Sequence, residues 1–304
     1  MIRPKPLKKG DTIGLIASSS YVEKEKVEEA IIAIKRMGFK VKAGESCYGH
    51  YGYFAAEDEI RVKDINKMFA DRTVKGIFAI RGGYGSARLL DNINFDMIKK
   101  NPKIFIGYSD ITALHIAINQ RCNLVTFHGP MPATELCKGI DEYTKYYYEK
   151  SIFTNEPLGV VATVKDDMKV IVDGVAEGKL IGGNLTLIAA SIGTKYEIDT
   201  RGKILFIEDV DEKPYRLDRM LLQLHQSGKF RDCKGIVLGA FTDCEATDKK
   251  NSLTLEEVIN EIIVPNNKPI ISNIKCGHCL PTLTLPLGAR ARIDGENGIF
   301  QILE

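Results

Sequence analysis

Short apolar runs of strand character alternate with stretches of helical spacing through the first half of the chain. The apolar runs are residues 12–17, 39–43, 74–80, 104–107 and 124–127. The stretches with helical spacing are residues 27–34, 60–69 and 111–118. Such alternation is typical of parallel sheets, because the crossover that connects two parallel strands is usually a helix. We therefore predict an α/β domain with a parallel sheet and right-handed crossovers.

The pattern changes near residue 150. Residues 155–173 lack helical periodicity and carry a proline, a glycine and a charged Lys-Asp-Asp turn. We therefore predict a flavodoxin-like domain in residues 1–154, with a parallel sheet and helices on both faces, followed by an interdomain linker in residues 155–176. The remaining residues, 177–304, mix strands with helices and predict a second β/α domain, either a swivelling-type barrel or a sandwich.

Composition and charge limit the kinds of partner. The chain has 304 residues, and its formal net charge of +2 gives no general field for nucleic acid or an anionic membrane. No apolar stretch approaches the roughly 18 residues that a membrane span needs, and the basic amino terminus has no secretory cleavage site. Seven cysteines, an odd number, fit a reducing compartment better than a disulfide framework. We therefore expect a cytoplasmic protein that acts on small molecules, without nucleic-acid or membrane partners.

Polar residues and glycines fall where the predicted strands of the first domain end. The Gly82-Gly83 turn, Ser109 and His128 each follow such a strand. In a parallel sheet the carboxyl ends of the strands share one edge, and ligands bind in the crevice outside that edge. These positions therefore predict a ligand site at the carboxyl edge of the sheet.

Ser109 is the strongest candidate for a nucleophile. An apolar run ends just before it, the chain turns through Gly107, and a helical pattern starts directly after it. A serine at such a turn presents its hydroxyl at the sheet edge, and the helix amides behind it favour negative charge. The match to the hydrolase elbow G-x-S-x-G is partial, because Ile111 stands in place of the second glycine. The alternative is that Ser109 only caps the helix, which serine often does.

A serine nucleophile needs a base, and the chain offers five histidines. His115 and His225 lie in helix patterns and are expected on helix surfaces. His50 lies in a loop rich in glycine and tyrosine. The remaining two, His128 and His278, are each predicted in a loop after a strand and beside a glycine.

A third group must orient the base. Glu208 ends a predicted strand of the second domain, and His278 follows another. Ser109, Glu208 and His278 would then supply nucleophile, carboxylate and base from three separated loops in that chain order. The spacing leaves open whether these side chains meet.

Six motifs occur in order along almost the whole chain. They are Arg81-Gly82-Gly83-Tyr84-Gly85, Gly107-Tyr108-Ser109-Asp110, His128-Gly129-Pro130-Met131, Gly182-Gly183-Asn184-Leu185, Ile207-Glu208-Asp209 with Pro214-Tyr215-Arg216-Leu217-Asp218, and Gly277-His278 followed by Leu285-Pro286-Leu287-Gly288. This series resembles the LD-carboxypeptidase family of serine peptidases. The resemblance implies a cytoplasmic enzyme, without metal or cofactor, that removes the terminal D-alanine of murein tetrapeptides in peptidoglycan recycling. It also implies a homodimer.

The resemblance implies roles for individual residues. Ser109 would be the nucleophile, His278 the general base and then acid, and Glu208 the carboxylate that fixes the imidazole tautomer. The backbone amides of Gly83 and Asp110 would bind the oxyanion. In the family, the serine comes from the first domain, and the glutamate and histidine come from the second.

Further residues of the same motifs are candidates for substrate binding. Arg81 would bind the terminal carboxylate of the substrate, since guanidinium pairs with carboxylates in a fork. Tyr84 and His128 are further candidates for contact with the peptide. The side chain of Asp110 could also cap a helix, because the oxyanion role uses only its main chain.

One motif of the second domain is also typical of other functions. Cys276 and Cys279 form a C-x-x-C around His278, which is typical of disulfide oxidoreductases and of zinc sites. Pro281 and Pro286 argue against the helix that would lower a thiol pKa there. No second pair of zinc ligands is evident in the sequence.

Two alternatives concern the activity itself. A microcin-immunity branch of the same family hydrolyses aminoacyl-nucleotide amides and tends to place a tryptophan near the nucleotide base. This chain has no tryptophan, which favours the tetrapeptide. The second alternative is a non-enzymatic, two-lobed ligand-binding protein in which the serine and histidine only form hydrogen bonds.

Overall fold

The computed structural model describes residues 1–248 and 250–304. Within this range the chain forms two compact units. The first contains Met1–Glu156 and Leu283–Gly288, and the second contains Pro157–Thr282 and Ala289–Glu304. Each unit is built around its own β-sheet.

Strands and helices alternate in the first unit and mix in the second. The strands are β1 (Thr12–Ile16), β2 (Lys40–Ala43), β3 (Val74–Ala79), β4 (Ile104–Gly107), β5 (Thr126–His128), β6 (Gly159–Thr163), β7 (Lys169–Val172), β8 (Val175–Asn184), β9 (Ile204–Val210), β10 (Gly235–Thr242), β11 (Ile270–Ser272), β12 (Leu285–Leu287), β13 (Arg290–Asp294) and β14 (Ile299–Ile302). The helices are α1 (Lys24–Arg36), α2 (Asp58–Ala70), α3 (Phe95–Lys100), α4 (Thr112–Cys122), α5 (Glu142–Phe153), α6 (Leu185–Ser191), α7 (Pro214–Gln226), α8 (Lys229–Asp232) and α9 (Leu255–Ile262). In the described part of the chain, each helix is too short or too polar to cross a membrane.

The sheet of the first unit has the strand order β12-β5-β4-β3-β1-β2. Neighbouring strands from β1 to β5 are parallel, and β12 is antiparallel to β5. The order 2-1-3-4-5 is that of flavodoxin-like domains, so the predicted fold class is confirmed. In this order the winding of the chain reverses between β1 and β3, and ligand crevices form at the carboxyl ends of two such strands.

The buried core explains why these segments form a parallel sheet. The residues of β1, β3 and β4 are almost all buried, and parallel strands covered on both faces are typically continuous apolar runs. Helix α1 buries an apolar stripe that comprises Val27, Ala30, Ile31 and Ile34. Their spacing places them on one face of the helix. Gly38, with φ +92°, follows the helix in a left-handed conformation that favours glycine.

The sheet of the second unit is mixed, with the order β6-β14-β13-β8-β9-β10-β11-β7. The four central strands from β8 to β11 are parallel, and the outer strands pair antiparallel. The predicted mixed β/α domain is therefore confirmed. Helix α7 of this unit begins with Pro214, a residue favoured at the first helical position.

The structure differs from the predicted domain division in two places. Residues 155–176, predicted as a linker, contain β6, β7 and the start of β8, which pair with β14, β11 and β13. Absence of helical periodicity is as typical of short edge strands as of linkers. Residues 283–288, predicted in the second domain, belong to the first unit through β12. A strand of three residues is too short to show alternation in the sequence.

Candidate active site

Ser109 lies in a strained turn at the carboxyl end of β4. The strand ends at Gly107, Tyr108 is extended, and Ser109 has φ +64°. A residue with a Cβ is disfavoured in this left-handed region, so the surrounding structure must hold the serine there. A short 3₁₀ turn, Ser109–Ile111, then leads into α4. A strand, a strained serine and a helix in this order are typical of a nucleophile elbow.

Neither Ser109 nor Asp110 caps the helix of its own turn. The 3₁₀ turn and α4 both begin without a side-chain capping hydrogen bond. The capping alternative for Ser109 is therefore wrong, and the Asp110 carboxylate binds the start of a different helix, because it accepts from the Ser86 amide at the first residue of the 3₁₀ turn Ser86–Asn92. The Asp110 carboxylate is buried and instead accepts hydrogen bonds from the loops that follow β1 and β3.

The loop after β3 passes close to Ser109. A Cβ added at Gly82 would lie 2.8 Å from the Ser109 Cβ and 3.0 Å from its Oγ, which is too close for any side chain. The neighbouring Gly83 has φ +118°, and a Cβ there would collide with the Ser20 hydroxyl. Gly82 therefore allows main chain to approach Ser109, and Gly83 allows it to pass close to Ser20. The sequence predicted an oxyanion donor at Gly83, and this role stays a prediction. It did not predict the close approach of Gly82 to Ser109.

Arg81 and Tyr84 flank the two glycines in the loop after β3. Arg81 donates from Nη1 to the Tyr21 carbonyl at 3.3 Å. Tyr84 has an exposed side chain, and its ring stacks on Phe54 with the centroids 5.8 Å apart. Their contributions to substrate binding stay predictions.

His128 is the last residue of β5 and is 1% exposed. It lies opposite Gly107 in the sheet register, and its ring centroid is 5.7 Å from that of Tyr108 and 6.3 Å from that of His115. The sequence predicted a loop position, whereas the structure places the residue inside the sheet. Because its ring is enclosed in the core, direct contact between His128 and a substrate is not supported.

His115 is fully buried in α4. Its Nε2–H donates to the Gly107 carbonyl at 2.8 Å. Burial lowers the pKa of His115 to about 4, and the hydrogen bond to the carbonyl opposes this shift. The predicted position on a helix surface is wrong, because α4 is buried around most of its circumference. His225, by contrast, is exposed on α7, as the sequence predicted.

The buried His115 predicts a loss of stability in acid. A histidine that is neutral in the fold stabilises it fully above the unfolded pKa and loses that effect as the pH falls towards the folded value. We expect this group to lower the free energy of unfolding by about 3 kcal/mol between pH 6.5 and pH 4. Urea unfolding at several pH values measures the effect. His115→Gln should show a shallower dependence, and equal slopes in the two proteins would contradict the prediction.

In the second unit, His278 and Glu208 form a hydrogen-bonded pair. Glu208 lies in β9 and is fully buried, and the side chain of His278, which follows β11, is 17% exposed. The His278 Nδ1 lies 2.7 Å from the Glu208 Oε2, and the His278 amide donates to the same oxygen at 3.2 Å. Gly277, with φ +113°, permits this approach, because a Cβ there would lie 2.5 Å from the same oxygen.

The environment of the pair suits proton transfer. Burial raises the pKa of Glu208, and the hydrogen bonds from His278 oppose this shift. With Nδ1–H donated to the carboxylate, the His278 Nε2 carries the lone pair that can accept a proton. Thr242 Oγ1 donates to the His278 carbonyl at 2.6 Å and helps to fix the backbone. The pair can therefore act as a general base whose positive charge a buried carboxylate balances.

Two family models match the chain in the order of its two units. The LD-carboxypeptidase N-terminal domain matches residues 13–129, and the LD-carboxypeptidase C-terminal domain matches residues 177–293. The chain belongs to the LD-carboxypeptidase family. It is therefore a hydrolase of the carboxypeptidase class in a family of serine peptidases. The alternative of a non-enzymatic ligand-binding protein is wrong.

Relatives of this LD-carboxypeptidase family member include curated proteins and solved structures. A probable murein peptide carboxypeptidase from Bacillus subtilis is 42% identical over 300 residues, which are 96% of this chain and 91% of the relative. The crystal structure of a muramoyltetrapeptide carboxypeptidase from Oxalobacter formigenes has a TM-score of 0.85 at 32% identity and covers 96% of this chain and 99% of its own. The microcin C7 self-immunity protein MccF, in complex with glutamyl sulfamoyl guanosine, has a TM-score of 0.90 at 26% identity and covers 99% and 98%. A tryptophan-to-phenylalanine mutant of MccF with adenosine monophosphate has a TM-score of 0.90 at 27% identity, with the same coverage.

The cysteines beside His278 lack the surroundings of a redox pair. Burial raises the pKa of Cys276 well above its ordinary value and also raises that of Cys279. Residues 273–284, all of them described, contain neither helix nor strand. A C-x-x-C thiolate usually depends on a helix amino terminus, so the redox alternative is not supported in this LD-carboxypeptidase family member.

Sequence reasoning missed a buried polar network beside the 3₁₀ turn Ser109–Ile111, the serine turn. It includes Ser18 and Ser19, which follow β1, together with Ser86, Arg61 and the Asp110 carboxylate. A signal was present, because three consecutive serines follow β1 near the carboxyl edge of the sheet. Their partners lie far away in the chain, so the sequence alone does not identify the network.

Proposed function

We propose that the chain is a serine carboxypeptidase that cleaves the L,D-peptide bond to the terminal D-alanine of murein tetrapeptide. The observation that carries this proposal is the hydrogen-bonded pair of His278 and Glu208, in a chain that also holds Ser109 at a strained strand-to-helix turn. Relatives named as murein peptide and muramoyltetrapeptide carboxypeptidases support the choice of substrate.

In the proposed mechanism, the His278 Nε2 takes the proton of Ser109 as the serine oxygen attacks the carbonyl carbon before D-alanine. Glu208 stays ionised and stabilises the imidazolium. The amides of Gly83 and Asp110 would donate to the oxyanion, and each such donor typically contributes roughly 3 kcal/mol in the transition state. The imidazolium then protonates the amine of D-alanine as the C–N bond breaks. Water hydrolyses the resulting ester of Ser109 by the same route, so these steps need neither metal nor cofactor.

Two residues of the loop after β3 are proposed to bind the substrate. Arg81 would pair with the terminal carboxylate through two parallel hydrogen bonds. Tyr84 follows Gly83 directly, and its exposed ring would contact the peptide. Arg81 would thereby select substrates that end at the residue to be released.

We also propose that the enzyme acts in the cytoplasm, in peptidoglycan recycling, as a homodimer. All seven cysteines are free thiols, which supports a reducing compartment. The recycling role follows from the proposed substrate, and the dimer rests on the resemblance to the family.

Hydrolysis of aminoacyl-nucleotide amides is a second candidate. It is favoured by the similarity to MccF, whose structures contain an aminoacyl sulfamoyl nucleoside or adenosine monophosphate. A tryptophan is the altered residue in the complex with adenosine monophosphate, and this chain has no tryptophan. The difference favours the tetrapeptide.

A comparison of substrates tests the proposal. We expect kcat/KM for release of D-alanine from murein tetrapeptide to exceed that for hydrolysis of glutamyl sulfamoyl adenosine by about 100-fold. A coupled D-amino acid oxidase assay measures the first reaction, and chromatography of the nucleoside product measures the second. A tetrapeptide that ends in L-alanine is the control and should be a poor substrate. A reversed preference would establish the second candidate, and turnover of neither compound would refute both.

A further inference from the structure

The Asp110 carboxylate joins two loops to the serine turn. Its Oδ2 accepts from the Ser19 Oγ at 2.6 Å and from the Ser86 amide at 2.8 Å. Its Oδ1 accepts from the Gly85 amide at 3.2 Å. Ser19 follows β1, whereas Gly85 and Ser86 follow β3. A buried carboxylate requires such donors because its removal from water is costly, and here the donors come from both loops.

A second layer of buried polar groups supports this carboxylate. The Ser86 Oγ lies 2.9 Å from the Ser19 Oγ and 3.0 Å from the Ser18 Oγ. Arg61 of α2 is completely buried and donates from Nη1 to the Ser18 carbonyl at 2.5 Å. The positive charge of Arg61 and the negative charge of the Asp110 carboxylate attract each other. Buried networks of this kind rigidify the segments that they join.

One of the joined loops approaches Ser109. Gly82 has no room for a Cβ, because that atom would lie 2.8 Å from the Ser109 Cβ. At Gly85, with φ +130°, a Cβ would lie 2.6 Å from the Arg61 Nη1. The main chain between these glycines is therefore confined by the serine near one end and by the guanidinium near the other. It follows β3, one of the two strands between which a ligand crevice is expected.

We propose that the Asp110 carboxylate is a positioning group, which holds the loop from Gly82 to Ser86 against the serine turn and keeps the Gly83 amide in place. The catalytic part of this inference rests on the proposed function. The tether, which is the set of three hydrogen bonds from the two loops to the Asp110 carboxylate, does not. A catalytic donor must stay within about 0.5 Å of its productive position. A looser loop would therefore weaken binding of the transition state more than binding of the substrate.

Asp110→Asn tests this positioning role. Asparagine keeps the size of the side chain but turns an NH₂ group towards one of the three donors, so one of the three hydrogen bonds is lost. We expect kcat for tetrapeptide hydrolysis to fall about 100-fold, while KM changes less than about threefold. Hydrogen exchange of the amides in residues 82–86 should accelerate at least about tenfold, because this loop opens more often.

Asp64→Asn is the matched control. Asp64 is also a buried carboxylate of the first unit, 3% exposed, and accepts from the Ser46 amide at 2.7 Å. An asparagine there can still accept this hydrogen bond through its carbonyl oxygen. We expect kcat and the exchange of residues 82–86 to stay within about twofold of the wild-type values.

Hydrogen exchange separates the tether from the activity. Unchanged exchange in Asp110→Asn would overturn the proposal, and so would an equal loss of kcat in Asp64→Asn. If the wild-type protein releases no D-alanine, the proposed function fails, while the exchange rates still test the tether. Should Asp110→Asn not fold, Ser19→Ala removes the shortest of the three hydrogen bonds to the carboxylate, together with the hydrogen bond between the Ser19 and Ser86 hydroxyls. That variant should lower kcat about fivefold and accelerate exchange, and wild-type values for both would overturn the proposal.

Discussion

Ser109→Ala is expected to lower kcat for D-alanine release from murein tetrapeptide by about 10⁴-fold or more. Alanine removes the oxygen that would form the ester intermediate, and nothing else in the turn replaces it. The variant should fold, because the substitution keeps a Cβ at the strained φ of +64° and removes a single atom. Released D-alanine is measured over hours at high enzyme concentration, with circular dichroism as the check on folding.

Two controls accompany this variant. The first tests for a general effect of removing a buried hydroxyl, and the second tests for a catalytic metal. Ser151→Ala makes the same chemical change at a buried serine of the first unit, whose Oγ donates to the Thr284 carbonyl at 3.3 Å. We expect it to lower the free energy of unfolding by about 1 to 3 kcal/mol, because a buried carbonyl loses its donor, and to leave kcat unchanged. Treatment of the wild-type enzyme with EDTA should also leave kcat unchanged. Wild-type turnover by Ser109→Ala, or loss of turnover on chelation, would contradict the serine mechanism.

His278→Ala is expected to lower kcat by about 10³-fold to 10⁶-fold. The imidazole would otherwise take the serine proton, and its Nδ1 is already oriented by Glu208 at 2.7 Å. The loss should lie in kcat rather than KM, since proton transfer occurs only on the way to the transition state. Steady-state kinetics with murein tetrapeptide separates the two parameters.

Two other histidines serve as controls. His225→Ala removes an exposed imidazole from α7 of the second unit, and it should leave both kcat and stability unchanged. His128→Ala leaves a cavity in the core of the first unit and should lower the free energy of unfolding by about 2 kcal/mol, with a much smaller effect on kcat than His278→Ala. A large loss of rate in His128→Ala, together with an active His278→Ala, would reverse the assignment of the base.

The parallel sheet of the first unit could be predicted because its signals are local. Its strands β3 and β4 are short apolar runs that coincide with those seen in the sequence at residues 74–80 and 104–107. The elbow around Ser109 is equally local, since the strand end, the turn and the helix start all lie within a few residues. The pairing of His278 with Glu208 followed from the resemblance to a family, because spacing alone could not establish it.

Features that depend on distant partners could not be predicted. The three donors to the Asp110 carboxylate lie 91, 25 and 24 residues away in the chain, so a helix cap was the natural local interpretation. His115 has ordinary helical spacing, and its burial depends on what packs around α4. β12 is a three-residue strand whose partner, β5, lies more than 150 residues earlier.

The double variant Ser109→Ala/His278→Ala, compared with the two single variants, tests most directly whether an alcohol and an imidazole from different parts of the chain work as one catalytic unit. Groups that act as a unit give losses that do not multiply. We predict that the double variant releases D-alanine no more slowly than the slower single variant. Losses that multiply in the double variant would show that the two residues act independently and would contradict the proposed triad.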